Sequence, residues 1–205
     1  MPFVFKRLAL LMSIATVLGL DKASAADKEH PKFELAPAAS YVSHQTSEKV
    51  TIGASVYDSA EKAKMAFGKL NPYQYGITPV LVVIQNDTGK TIQVDRMRVD
   101  YVAPDGGHVD ATPASEVKYL RGPSPQQVPN PMPRIHRNKN PLDAWEIEGR
   151  AFSAKIIPAG ESAGGFFYFQ TGHQANSRLY VTGIREAGSG RELLYFEFAL
   201  KDDPQ

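Results

Sequence analysis

The sharpest chemical pattern in the chain is Gly160-Glu161-Ser162-Ala163-Gly164. It matches G-x-S-x-G, the nucleophile elbow of hydrolases, in which a strand delivers a serine onto a sharp turn and a helix follows. The flanks do not supply that frame: Pro158 precedes the motif, and Gly165-Phe166-Phe167-Tyr168-Phe169 reads as strand rather than helix. The order serine, acid, histidine would have to end at His173, yet no acidic residue stands between Ser162 and His173. A turn leading into a strand is the expected structure, with a serine hydrolase using Ser162, and His173 or a more distant histidine, as the alternative.

Other candidates are spread along the chain. The histidines are His30, His44, His108, His136 and His173, with no local pair of the kind zinc sites use. His108 lies near Asp105 and Asp110, as a solvated turn would place it, and Asp105-Gly106-Gly107 lacks the ligand series of a calcium loop. No metal and no cofactor are expected. Arg134, His136, Arg137 and Lys139 form a basic cluster suited to a phosphate or carboxylate partner, because arginine engages such groups through two parallel hydrogen bonds. Tyr73, Tyr75 and Trp145 could line an aromatic groove for sugar or proline-rich peptide; packing over the edge of the core is the competing reading.

The bulk properties limit what these residues can serve. The 205-residue chain has no cysteine, which excludes thiolate chemistry, disulfides and a cysteine-linked lipid anchor. Phe5-Lys6-Arg7, the apolar stretch Leu8 to Leu20 and Ala23-Ser24-Ala25 have the form of a cleaved export signal over 1–25. The apolar stretch is too short for a membrane span, which takes about 20 residues. Removing that segment leaves 20 basic and 21 acidic residues. So balanced a charge gives no general field for nucleic acid or an anionic membrane.

The elements that would position the candidates are mostly strands. After a flexible leader over 26–45, Val50, Ile52, Ala54 and Val56 alternate with small or polar residues. A short helix is expected from Ala60 to Phe67. Val80 to Ile84 is an unbroken apolar run, Asn86 to Lys90 has turn chemistry, and Met97, Val99 and Tyr101 alternate with Arg96, Arg98 and Asp100. That passage reads as a central hairpin. Gly122 to Pro141 holds six of the fifteen prolines and is expected to be a long loop. From Phe152 the chain returns to strands, through the aromatic run Phe166 to Phe169 and the alternating Leu194, Phe196, Phe198 and Leu200. About eight strands with two or three short helices predict an all-β antiparallel sandwich forming one domain over 46–201.

The run Val82 to Asn86 through Lys90-Thr91-Ile92, with Ile157-Pro158-Ala159-Gly160-Glu161-Ser162 before Gly165-Phe166-Phe167, resembles the immunoglobulin-like sandwich domains of exported bacterial proteins. The resemblance implies an exported, periplasmic or extracellular, non-enzymatic module with a role in binding, adhesion or assembly. The expected partner is an envelope protein or anionic envelope ligand contacting the loop 122–141. A structural subunit assembling through an exposed strand edge is a further alternative.

Overall fold

The structure, a computed structural model, describes residues 33–117, 142, 145–193 and 195–201. The expected export signal, the first part of the leader and the proline-rich segment lie outside the described residues.

The apolar run Val80 to Ile84 belongs to β3 (Thr78–Asn86), and neither of its faces meets water. Its edges pair antiparallel with β2 (Val50–Val56) and β8 (Ser162–Phe169), and β1 (Ser43–Ser47) completes a sheet in the order β1-β2-β3-β8. The second sheet has the order β11-β9-β5-β6, from β5 (Arg98–Val102), β6 (His108–Asp110), β9 (Arg178–Thr182) and β11 (Phe196–Ala199). Three strands of two residues each, β4 (Ile92–Gln93), β7 (Ile156–Ile157) and β10 (Arg185–Glu186), make a small third sheet. All pairings among named strands are antiparallel, an arrangement compatible with a sandwich.

Alternation along β3 decides what each face meets. Val80, Val82 and Ile84 pack with Ile52, Val99, Tyr101, Leu179, Val181 and Phe196 in the core between the two large sheets. Leu81 and Val83 turn the other way, joining Phe166 and Tyr168 of β8 under α1 (Ala60–Phe67) and α2 (Trp145–Gly149). The aromatic run is thereby split, with Phe167 and Phe169 on the sheet side and Phe166 and Tyr168 on the helix side. Short helices cover its second face. Helix α1 starts at Ser59, whose side chain accepts from the Lys62 N–H at 3.2 Å, and stops at Gly68 with φ of 66°.

Two expectations change. The passage from β3 to β5 is a crossover between sheets rather than a hairpin: β3 has both faces covered, whereas β5 keeps Arg98 exposed and Asp100 half-buried. A strand with one wet face belongs to a sheet with one wet face. The folded body also begins earlier than 46, because β1 pairs with β2 through a tight turn at Glu48 and Lys49, both at positive φ. Ahead of it, the Ala38 carbonyl and the Tyr41 ring lie so close over Gly53 that a Cβ there would collide with them.

Asn86 holds the crossover. It is fully buried, and its amide nitrogen donates to the carbonyls of Lys90, Ile157 and Pro158 at 2.7, 2.9 and 3.0 Å. Its amide oxygen accepts from the N–H and hydroxyl of Thr88 at 3.1 and 2.7 Å. Two amide hydrogens serve three carbonyls, so one is shared. One side chain therefore ties the turn leaving β3 to the chain entering β8. Asn86→Ala would strand the buried Ile157 carbonyl and remove the bonds to Lys90 and Pro158, and should cost about 1–3 kcal/mol in urea unfolding. Phe196→Ala, deleting a fully buried ring, should cost about 3–5 kcal/mol, and Phe198→Ala clearly less because that ring lies at the margin of the core.

Candidate functional site

Beside β8 the chain twice bridges between elements. Ala111 N donates to Val99 O on β5 at 3.2 Å, and the next residue, Thr112, donates its N–H to Tyr168 O on β8 at 2.7 Å. Farther along β8, Phe166 N donates to Arg150 O at 2.8 Å and Phe152 N to Phe166 O at 3.1 Å. The Phe152 backbone lies so close over Gly165 that a Cβ on Gly165 would collide with it. Between these bridges and the start of β5 a cleft of about 470 Å³ remains, a size usual for ligand sites.

The cleft has aromatic surface within and charge at its rim. Phe152 and Phe167 stack with centroids 5.4 Å apart and planes at 26°. Arg98, Asp100 and Asp110 also border it, with their side chains on the solvent face of their sheet, opposite those rings. Asp100 and Asp110 stand directly opposite each other in the β5–β6 register, an unfavourable placement for like charges. His108 Nδ1 lies 3.5 Å from Asp100 Oδ2 and offsets that repulsion when protonated. Arg98 and Asp110 make no ion pair or side-chain hydrogen bond among the described residues.

The residues singled out from the sequence fare differently. Ser162 opens β8 opposite Gln85 and is followed by strand, so the strand–turn–helix frame of a nucleophile elbow is not formed. Ser162 and His173 lie at opposite ends of β8, a strand about 23 Å long at roughly 3.3 Å per residue, and so do not converge. His173 Nδ1 instead lies 3.3 Å from the Tyr101 hydroxyl and 3.4 Å from Ser177 Oγ, while Gln174 N donates to the Tyr101 hydroxyl at 2.8 Å. These contacts pin the β8–β9 connection to the core. Asp105 accepts from Gly107 N at 2.9 Å as a turn residue, and no group of three potential metal-ligating side chains occurs among the described residues.

Tyr75 packs at the margin of the helix-side core, Tyr73 is half-buried, and Trp145 is 74% exposed. No ring contact joins the three among the described residues. Arg134, His136, Arg137 and Lys139 lie outside the described residues.

The sequence reading missed a charged knot at β10. Glu186, 8% exposed, accepts from Arg191 Nη2 and Ser189 Oγ at 2.8 Å each and from Lys90 Nζ at 3.2 Å. Arg191 also donates to the Glu48 carboxylate in the β1–β2 turn. The hydrogen bonds from Arg191, then Ser189, then Lys90, hold the Glu186 carboxyl down to about 2. Ser189, Gly190 and Arg191 close to Glu186 hinted at a tight turn, but the partners Lys90 and Glu48 are remote in sequence.

The chain matches no protein-family model and no curated protein. No helix among the described residues is long and apolar enough to cross a membrane.

Because the Glu186 carboxyl is held below its usual 4.5, its network stabilises the fold fully above that pH, and this contribution is lost as pH falls from 4.5 toward about 2. Glu186→Gln should flatten that acid limb of stability measured by urea unfolding and lower stability at neutral pH.

Proposed function

We propose that this chain is a non-enzymatic binding module exported to the cell envelope, with an immunoglobulin-like sandwich as scaffold and the segment 122–141 as the element that contacts the partner. One observation carries the reading. Val117 and Leu142, on either side of that segment, are 3% and 2% exposed and belong to the same buried cluster as Ile147, Phe166 and Tyr168. The chain on either side of that segment is thus fixed in the buried helix-side core, and segments held on a rigid scaffold most often carry recognition. Its basic residues Arg134, Arg137 and Lys139, with His136 beside them, suit a carboxylate- or phosphate-bearing envelope partner. The exposed Trp145, with the half-buried Tyr73 and Tyr75, adds aromatic surface.

The test is a crosslinking pull-down from envelope extracts with the wild type and with Arg134→Glu, Arg137→Glu and Lys139→Glu combined. Loss of one specific partner from the variant, with its unfolding midpoint unchanged, is the expected result. An unchanged set of partners would overturn the reading.

A further inference from the structure

We infer that the solvent face of the second sheet binds an uncharged sugar, with a hexopyranose unit seated on Tyr180 and Tyr195. This goes beyond the binding reading, which rests on the segment 122–141.

Alternation puts the parts of the seat on one face. Leu179 and Val181 of β9 belong to the core, so Tyr180 between them points to solvent. Phe196 of β11 is likewise buried, which turns its neighbours Tyr195 and Glu197 outward. On β5, Val99 and Tyr101 are core residues, and Asp100 between them takes the solvent side. The register then sets Asp100 directly opposite Tyr180 on one neighbouring strand and Glu197 directly opposite it on the other.

The rings adjoin one another. Tyr180 and Tyr195 lie with centroids 5.6 Å apart and planes at 37°. His108, reaching across from β6, stands edge-on to Tyr180 at 6.0 Å and 78°, and closes one end. Tyr195 is 56% exposed and Tyr180 half-buried, so ring surface stays open to water. A single exposed aromatic is ordinary on a protein surface, whereas adjoining ones make a continuous apolar patch of the kind that marks recognition.

The polar surroundings set the ligand class. Glu197 pairs with Arg178 at 3.1 Å, and Asp100 lies 3.5 Å from His108 Nδ1. A cationic ligand would have to compete with Arg178 and His108, and an anionic one would meet both carboxylates. Each carboxylate keeps lone pairs beyond these contacts, and Arg178 keeps further N–H groups, so hydroxyls beside the rings can both donate and accept. A hexopyranose carries no charge and presents an apolar C–H face bounded by hydroxyls. The first suits the tyrosine rings, and the second suits Asp100, Glu197 and Arg178.

The test is an amide-resolved NMR titration of the full chain with the methyl glycosides of glucose, galactose, mannose and N-acetylglucosamine, with choline as a cationic control. At least one glycoside should bind at millimolar concentration and move the amide signals of β9, β11 and His108. Tyr195→Ala should weaken that binding by about tenfold, the loss of a stacking ring, whereas Tyr195→Phe keeps the ring and should retain most of the affinity. The side chain is exposed, so the unfolding midpoints should move little.

Absence of binding by every glycoside, equal affinity in Tyr195→Ala and the wild type, or tighter binding of choline than of any glycoside would overturn the inference. The loop charge-reversal variant keeps this face intact and should bind the glycoside as the wild type does. Failure of every glycoside while that variant loses its envelope partner would reject the sugar seat and leave the loop reading standing.

Discussion

A strand that is apolar on both faces must be covered on both, and Val80 to Ile84 imposes that constraint on the whole molecule. The second sheet supplies one cover through Val99, Tyr101, Leu179, Val181 and Phe196, and the helices supply the other through Phe67 and Ile147. Its backbone groups, cut off from water, must also bond along both edges, which β2 and β8 satisfy. Once β8 is drawn in beside β3, its aromatic residues divide between the two cores, and the segments that border β8 define where an opening can remain.

The ends of β3 need as much provision as its faces. Asn86 sits where the chain leaves one sheet for the other, and its amide satisfies the nearby Lys90 carbonyl together with those of Ile157 and Pro158, 71 and 72 residues farther along the chain. Glu186 does related work on the surface, joining the loop at Lys90 to the turn at Glu48 through Arg191. These polar ties fasten the crossovers. The cleft borders a different part of the molecule, where the β5 and β8 segments remain apart and charge stays accessible.

What could be read from the residues depended on whether a feature was local. Helix α1, the alternation in β5 and β9 and the two-sided burial of β3 follow from patterns within a few residues. The hairpin expectation failed because adjacency in sequence outweighed a signal already present: the all-apolar β3 and the half-polar β5 suit different sheets. Strand β1 escaped because Ser43-His44-Gln45-Thr46-Ser47 is polar, and it is a strand only through its pairing with Val50–Val56. The cleft was not legible, since its lining shares no local pattern and comes together only when β5, β6 and β8 are assembled. Ser162 shows the converse: a matching motif carries little meaning when the residues after it form a strand.

Native-state amide hydrogen exchange with residue resolution tests the central claim most directly, because it ranks segments by the opening needed to expose them. If β3 is the doubly covered centre, the amides of Leu81 to Ile84 should exchange only through global unfolding. Those of β6 and of Met97 and Arg98 beside the cleft should exchange through smaller openings. Exchange at Val82 to Ile84 as fast as in β6 would contradict the account and move the organising centre elsewhere in the chain.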